Sequence, residues 1–237
     1  MKRLTVDVWS DIACPWCYVG KRRLESALKV FAHRDEVEVI WRAFELKPDA
    51  PPVESSDMSY IERLASKYRT TTARAQEMVD RMTEVAAQDG LDFRFDRIRP
   101  GNTFDAHRLL HLAAEYGQQD AVKERFLRAY MTEGEPIGDR TALERLAIDS
   151  GLPADEVRAL LASNRFVDAV REEETEARLL GISGVPFFLL GKRYAVSGAQ
   201  PTEVLSSALQ KAWSEAIARE SLVSYPEGAV CGPDGCG

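Results

Sequence analysis

The 237-residue sequence contains no long uninterrupted apolar run, and its first eight residues lack the apolar core and small-residue cleavage site of a signal peptide. We therefore expect neither a membrane-spanning nor an exported protein. Basic residues are outnumbered, because 31 Lys and Arg oppose 38 Asp and Glu to give a net charge of −7. Such a balance argues against a general nucleic-acid-binding protein. The sequence thus predicts a cytoplasmic protein that binds neither membranes nor nucleic acids.

Cysteine is scarce, and the four residues present form two distant pairs. Zinc normally takes four ligands, which neither pair can supply alone. In a reducing cytosol, paired cysteines are more often catalytic, redox-sensing or metal-binding than structural. The rest of the composition, with 45% hydrophobic and 29% charged residues, is that of an ordinary globular protein. The residues around each cysteine pair therefore indicate its role.

The stretch Cys14-Pro15-Trp16-Cys17 lies between a strand-like run and a helical run. Alternating residues precede it (Leu4, Val6 and Val8), and apolar residues at helical spacing follow it (Leu24, Ala27, Leu28 and Phe31). At a helix start, unpaired backbone N–H groups and the positive end of the helix dipole favour a thiolate at Cys14. Pro15 suits the first helical position, and Cys17 lies one turn further on. This pattern predicts a redox site.

The residues around this motif predict a sheet. Strands are expected at 4–9 and 36–44, on either side of the first helix, so that Cys14 follows the carboxyl end of a strand in a βαβ unit. Sheet-forming sequence returns at 184–190 and 193–196, as a hairpin with its turn at Gly191. A last helix is expected from Thr202 to Arg219.

Between the two sheet-forming parts the pattern is helical. Helices are expected at 60–68, at 71–88, from a cap at Asn102 or Thr103, and at 119–132, 140–150, 154–162 and 165–180. One face of the second of them carries Met78, Met82 and Val85, and the run Glu172-Glu173-Glu174 is interpreted as a solvated face. We expect one α/β domain at 1–48 and 181–220, an all-helical insertion at 49–180 and a tail at 221–237.

Three stretches carry a resemblance to a known family, namely Ser10–Gly20, Asn102–Arg108 and Gly181–Phe188. With them the sequence resembles the thioredoxin-fold oxidoreductases of the DsbA family, and most closely their cytoplasmic FrnE-like branch. The resemblance extends from Val6 to Trp213. It implies an α/β thioredoxin-like fold (βαβ…ββα) interrupted by an all-helical insertion domain.

For the site, the resemblance implies that Cys14 is the nucleophile and Cys17 the resolving thiol. The neighbours that would tune exposure and potential are Pro15 and Trp16. The resemblance also implies a cis peptide bond between Val185 and Pro186, placed against the active site. An isolated Val-Pro pair would instead suggest a trans proline at the start of an edge strand. A cis bond would leave the Val185 backbone free to pair with an extended substrate.

Related proteins use this fold for another chemistry. Kappa-class glutathione transferases and 2-hydroxychromene-2-carboxylate isomerases are similar in the segment Asn102–Arg108, but they generally have a serine in place of Cys14. A serine can hydrogen-bond a glutathione thiolate but cannot form a mixed disulfide. From the similar segment, Asn102, His107 and Arg108 are predicted to form a substrate pocket beside Cys14. His107 and Arg108 could equally cap or bridge packed helices. No metal or other cofactor is predicted, although His107 and His111 have a spacing compatible with metal ligands.

The tail contains the second cysteine pair, Cys231 and Cys236, on either side of a Gly-Pro-Asp-Gly turn sequence. Three roles stay open for it: a second redox pair that exchanges electrons with Cys14 and Cys17, a structural disulfide, and a metal site.

The sequence therefore predicts a protein disulfide oxidoreductase or isomerase that acts on protein or small-thiol disulfides through Cys14 and Cys17. Expected partners are protein thiols and disulfides, with glutathione or a thioredoxin-type protein as reductant. Two other functions stay open. One is a glutathione-dependent transferase or isomerase of the kappa type, and the other is a redox-independent holdase that binds clients on the Met-bearing face of the insertion.

Overall fold

The computed structural model describes residues 4–53 and 58–223, together with the backbone of 231–232 and 235–236, and it describes side chains up to residue 218. The chain begins with the expected βαβ unit, made of β1 (Leu4–Ser10), α1 (Pro15–Val30) and β2 (Val37–Ala43). A short 3-10 turn, Arg34–Glu36, occupies the start of the predicted second strand.

Seven helices follow in the described residues before the chain returns to the sheet. They are α2 (Tyr60–Tyr68), α3 (Thr72–Gln88), α4 (Phe104–Glu115), α5 (Gln119–Arg128), α6 (Arg140–Asp149), α7 (Ala154–Leu161) and α8 (Val167–Leu179). A π-helical turn, Ala129–Glu133, extends α5 to about the predicted end of that helix. The order of elements confirms the predicted helical insertion.

The chain then forms β3 (Phe187–Leu190), β4 (Tyr194–Ser197) and α9 (Thr202–Val223). The third strand starts three residues later than predicted, since Pro186 has no N–H to donate to a ladder. The strands form one sheet in the order β2-β1-β3-β4, in which β1 pairs parallel to β2 and antiparallel to β3. In the tail, β5 (Cys231–Gly232) and β6 (Gly235–Cys236) pair antiparallel.

Alternation along β1 directs its side chains to two different cores. One face packs against α1 and α9 through Leu4, Val6, Val8, Leu24, Ala27, Phe31, Leu205, Leu209 and Trp213. On the other face, Trp9 packs with Ala177 of α8 and with Ile182. The sheet is therefore covered on one side by its own two helices and on the other by the end of the insertion.

The insertion has a core of its own, and α1 belongs to it as well. Its buried members include Phe126, Leu143 and Leu160, and they are joined by Tyr18 and Val19 of α1. The helix that begins at the Cys14 motif therefore packs against both cores. The domain limits at residues 48 and 181 stay a prediction.

The apolar face of α3 differs from the expected one. Its buried residues are Ala75, Val79, Met82 and Ala86, whereas Met78 is 38% exposed. Met78 and Met82 thus differ in burial, because the buried stripe runs through residues 75, 79, 82 and 86. Met78 therefore lies at the exposed edge of the helix face that it shares with Met82. In the described part of the chain, no helix is long and apolar enough to cross a membrane.

The interpretation of Glu172–Glu174 as a solvated face was wrong for Glu173, which is 7% exposed. Its carboxylate accepts hydrogen bonds from the backbone N–H of Ala43 at 2.7 Å and from Arg42 at 3.0 Å, and it lies 3.2 Å from His111 Nε2. Burial alone would raise the pKa of Glu173, but His111, Ala43 and Arg42 outweigh it and lower the pKa. Glu173 thus fastens α8 of the insertion to β2.

We predict that Glu173→Gln lowers the free energy of unfolding by about 1–3 kcal/mol at neutral pH, because it weakens buried hydrogen bonds made to a charged group. A carboxylate whose folded pKa is lowered stabilises the fold above its ordinary value of 4.5, and it loses that effect as the pH falls through the folded pKa. The difference between the two proteins should therefore shrink in acid. Urea unfolding measured at neutral pH and at about pH 3.5 checks both statements.

The matched control is Glu172→Gln on the same helix, because Glu172 is exposed. We expect it to change stability by less than about 0.5 kcal/mol. Equal effects of the two substitutions would contradict the role given to Glu173.

Candidate active site

Cys14 lies at the N-cap position of α1, with extended backbone angles (φ −97°, ψ 112°), and Pro15 is the first residue of the helix. The backbone N–H of Cys14 donates to Asp11 O at 3.3 Å, and the Cys14 carbonyl accepts from Cys17 N–H at 3.0 Å. Cys14 is 5% exposed, and Cys17 is fully buried beneath it. Trp16, by contrast, is 43% exposed. The motif therefore presents Trp16 at the surface and keeps the second thiol inside.

The loop before β3 lies against Cys14. The Val185–Pro186 peptide bond is cis, as the resemblance implies. The Cys14 thiol donates to Val185 O at 3.5 Å, which places the Val185 carbonyl beside this sulfur. On the other side, Pro186 O accepts from Gly198 N–H at 2.8 Å. The loop is thus held between the thiol and the end of β4.

Gly20 permits the close packing of α1 against this loop. A Cβ atom at position 20 would lie 2.8 Å from Pro186 Cγ and 3.2 Å from Phe188 Cζ, and real Cβ atoms essentially never approach as closely as the first distance. Any larger residue would push the helix and the proline loop apart. Gly20 is therefore a structural requirement of the site.

The two thiols differ in their surroundings. Burial raises the pKa of the Cys17 thiol well above its ordinary value, and the hydrogen bond and charge of Cys14 raise it further. Lys123 of α5 and the backbone at Asp11 act in the opposite direction. A buried thiol with a raised pKa stays protonated until a neighbouring group or event favours its thiolate. A raised pKa and full burial make Cys17 less suited than Cys14 to react first with a disulfide from solution.

Asp11, at the start of the loop that leads to Cys14, is a buried carboxylate that sequence reasoning left without a role. Its two oxygens accept from Leu46 N–H at 2.7 Å and from Ala13 N–H at 3.2 Å, and one lies 3.7 Å from His107 Nε2. Burial would raise the pKa of Asp11, but His107 and the Leu46 N–H lower it. Asp11 therefore stays ionised and orders the loop. The signal in the sequence was a polar residue three positions before Cys14.

Of the three residues predicted to form a substrate pocket, His107 is the one next to the active-site loop. It is buried, and its Nε2 faces Asp11. Asn102 donates to Glu45 Oε1 and to Pro48 O, both at 3.0 Å, and it accepts from Phe104 N–H. Asn102 therefore joins the loop after β2 to the start of α4.

Arg108 bridges packed helices. Its guanidinium donates to the backbone oxygens of Arg165, Leu160 and Ser163 and to the carboxylate of Asp105. The three backbone acceptors lie at the end of α7 and in the connection to α8, so the side chain caps that end of α7, while Asp105 lies on the same helix as Arg108. Arg108 and Asn102 line a cavity of about 270 Å³, which does not include Ala13 or Tyr60. The geometry thus favours the bridging role for Arg108.

A different cavity lies beside the motif. It has a volume of about 130 Å³ and is lined by Asp11, Ala13, Tyr60, Arg63 and Thr103, among others. A larger cavity of about 960 Å³ shares Tyr60 and Arg63 with it. Burial and the charge of Cys14 raise the pKa of Tyr60 to about 12. These residues of α2 were missed, since only the fold brings them to the motif.

His107 and His111 do not converge on one metal. His107 faces Asp11, whereas His111 lies against Glu173. Within residues 4–53 and 58–218, no group of three His, Cys, Asp or Glu side chains has a spacing that could hold a metal ion. In the tail, the backbone of Cys231 pairs with that of Cys236. The side chains of this second pair lie outside the described residues.

A dithiol at a helix start, facing a proline loop from the neighbouring strand of a four-stranded sheet, defines a protein of the thioredoxin fold. Residues 5–210 match the DSBA-like thioredoxin domain, and the chain belongs to this family of oxidoreductases.

Comparison with known proteins agrees with this assignment. The chain is similar to a probable DsbA oxidoreductase from Streptomyces coelicolor, with 44% identity, a TM-score of 0.84, and coverage of 99% of this chain and 98% of that one. It is 28% identical to the uncharacterised protein YwbO of Bacillus subtilis, over 86% of this chain and 94% of YwbO. The cytosolic disulfide reductase DsbM from Pseudomonas aeruginosa shares the fold at 17% identity, with a TM-score of 0.59 and coverage of 92% and 99%.

We predict that Gly20→Ala lowers the free energy of unfolding by about 1–3 kcal/mol, because the new methyl group overlaps Pro186. It should also slow disulfide exchange, since the loop that carries Val185 must move away from Cys14. Urea unfolding measures the first effect, and a disulfide-reduction assay measures the second.

Gly184→Ala provides the stability control, because no atom lies within 4 Å of a Cβ added there. We expect a change below about 0.5 kcal/mol. A Gly20→Ala protein as stable as Gly184→Ala would show that the packing at Pro186 is looser than described.

Proposed function

We propose that this protein is a thiol–disulfide oxidoreductase that acts on disulfides of proteins or small thiols, with Cys14 as nucleophile and Cys17 as resolving thiol. The observation that carries the proposal is the position of Cys14. It lies at the N-cap of α1, with its sulfur 3.5 Å from the Val185 carbonyl and Cys17 buried one turn further on. Backbone N–H groups at a helix start favour the thiolate form needed for attack.

The reaction has two exchange steps. In the first, the Cys14 thiolate attacks a substrate disulfide, a bond forms between Cys14 Sγ and one substrate sulfur, and the other sulfur leaves as a thiolate. In the second, Cys17 loses its proton and attacks Cys14 Sγ, which releases the remaining substrate sulfur as a thiol. The substrate gains two electrons, and the enzyme ends with a Cys14–Cys17 disulfide. The reverse sequence oxidises a substrate dithiol.

The surroundings of Cys14 suit an extended substrate. Val185 provides backbone groups beside the nucleophile, as in β-strand addition. Trp16 provides an exposed aromatic surface next to it, and the small cavity at Ala13 and Tyr60 opens on the same loop. Together they would hold a chain that carries the disulfide.

Two competing functions have less support. A kappa-type transferase or isomerase uses a serine to hold glutathione, and this chain has Cys14 and Cys17, which can complete exchange. A holdase on the Met-bearing face loses its basis, because Met82 is buried and only Met78 is half-exposed. Activity that survives loss of Cys17 and requires glutathione would support the kappa type instead.

Glutathione is one candidate source of electrons, and the cytoplasm is the proposed compartment. Support comes from the fold neighbour DsbM, which is described as a cytosolic disulfide reductase and whose structure holds glutathione. A thioredoxin-type protein is the other candidate reductant. The direction of net exchange follows from the potential of the Cys14–Cys17 pair relative to that of its partner.

We predict that Cys14→Ser reduces insulin disulfides, with glutathione as reductant, no faster than the uncatalysed reaction, because the nucleophile is absent. Cys17→Ser keeps the Cys14 nucleophile, so when oxidised glutathione is added, Cys14 should attack it, release one glutathione as a thiolate and accumulate as a mixed disulfide with the other. Turbidity of reduced insulin and intact-protein mass spectrometry measure the two outcomes.

The control is the double variant Cys231→Ser/Cys236→Ser, which keeps both thiols of the proposed site. It should still reduce insulin faster than the uncatalysed reaction. Wild-type turnover by the Cys14→Ser protein would refute the proposed function.

The tail is proposed as a second redox pair that exchanges with this site. We predict that, in the Cys17→Ser protein, mild oxidation links Cys14 to Cys231 or Cys236 within one chain. A tethered thiol can reach an effective concentration of about millimolar if the tether spans the distance. Peptide mass mapping at low protein concentration detects the link, and the Cys14→Ser/Cys17→Ser protein is the control. Absence of any such link would contradict exchange between the tail and Cys14.

A further inference from the structure

Two buried lysines approach the ring of Trp41, and they differ in their partners. Lys21 Nζ lies 5.9 Å from the ring centroid and bonds to Glu25 and Asp120. Lys123 Nζ lies 5.6 Å from the same centroid, is fully buried, and has no hydrogen-bond partner among the described residues. A buried ammonium without a partner is unfavourable. The burial of Lys21 is explained by its acidic partners, whereas the burial of Lys123 in α5 is not.

The groups that face Lys123 include both thiols of the proposed site. Cys14, Cys17 and Lys21 of α1 interact electrostatically with it, as does Asp11 of the preceding loop. Burial lowers the pKa of Lys123 to about 8, although the negative charges of Cys17, Asp11 and Cys14 oppose this change. The insertion thus contributes a buried cationic group that interacts electrostatically with the motif.

Asp11 does not require Lys123 as its partner. Its oxygens accept from Leu46 N–H and Ala13 N–H, and His107 faces it at 3.7 Å. Cys17 is different, because it is fully buried and the groups that favour its thiolate are the charge of Lys123 and one backbone group at Asp11. A thiolate at Cys17 would need a positive charge nearby, and Lys123 can provide it.

We propose that Lys123 is a positioning residue for the resolving step, in which its ammonium stabilises the thiolate of Cys17 as that sulfur attacks the mixed disulfide. The inference rests on the thiol–disulfide exchange proposed above. A buried thiolate and a buried ammonium compensate each other, whereas either ion alone would be strongly disfavoured. The helical insertion then takes part in the chemistry through α5.

The step balances without another reactant. The Cys17 S–H bond breaks, the bond between Cys17 Sγ and Cys14 Sγ forms, and the bond between Cys14 Sγ and the substrate sulfur breaks. The substrate sulfur leaves with the electron pair of that bond and takes up the proton that Cys17 released. Lys123 keeps its own proton throughout and contributes charge alone.

The test separates the two thiols in time. Fully reduced protein carrying Cys231→Ser and Cys236→Ser is mixed with 5,5′-dithiobis(2-nitrobenzoate), and absorbance records the thionitrobenzoate released. The first equivalent reports attack by Cys14, and the second reports attack by Cys17 on the mixed disulfide. A reference protein that releases no second equivalent would refute the exchange mechanism itself, independently of Lys123.

We predict that adding Lys123→Met slows release of the second equivalent about tenfold or more at about pH 7 and leaves the first within about twofold. The difference should fade as the pH rises above about 8, because Lys123 itself loses its charge there. A merely structural role would slow the second phase equally at every pH. Arg125→Met is the control, since it removes one positive charge from the same helix, where Arg125 bonds to Glu133.

Lys123→Met should fold, because Lys123 Nζ has no hydrogen bond to lose. Thermal unfolding checks this, and Lys123→Gln serves as a second uncharged variant. A second phase in both variants that keeps the wild-type rate and pH dependence would overturn the proposal, and so would a slowing that is independent of pH.

Discussion

The contact between the start of α1 and the loop before β3 is the feature on which the site depends. Because β1 pairs antiparallel to β3, the loop that leaves β1 and the loop that enters β3 lie side by side at the same end of these two strands. Gly20 allows Pro186 to approach the helix, and this approach brings the Val185 carbonyl to Cys14 across 171 positions of sequence. The dithiol motif acquires the Val185 backbone as a neighbour through this packing.

The helical insertion supplies more than a cover for this contact. Through Glu173 it is hydrogen-bonded to the backbone at the end of β2, and through His107 it faces Asp11 in the loop that leads to Cys14. Tyr18 of α1 packs in its core. The insertion is therefore connected to the active-site loop by buried polar groups as well as by apolar packing. Such connections fix the loop more firmly than exposed ion pairs would.

Local patterns in the sequence were sufficient for the order of elements and for the position of Cys14 at a helix start. The alternation of β1, the helical spacing after Cys17 and the proline at the first helical position all act within a few residues. Burial of Glu173 could not be predicted, because three successive acidic residues usually indicate a solvated face and the partner backbone at Ala43 is 130 positions away. The same holds for Lys123, since one lysine in an amphipathic helix gives no sign of what its face meets.

The proposed division of roles between the two cysteines follows from the different surroundings of their thiols. Cys14 lies where helix N–H groups and the Val185 backbone surround it, whereas Cys17 is enclosed and burial raises its pKa. An enclosed thiol is protected from solvent oxidants, but its attack then depends on charge supplied from within. If that charge comes from Lys123, the same ammonium also interacts with a Cys14 thiolate of the reduced protein, and this stabilisation makes the Cys14–Cys17 disulfide more oxidising. The direction of exchange would then depend on α5 as well as on the two residues between the cysteines.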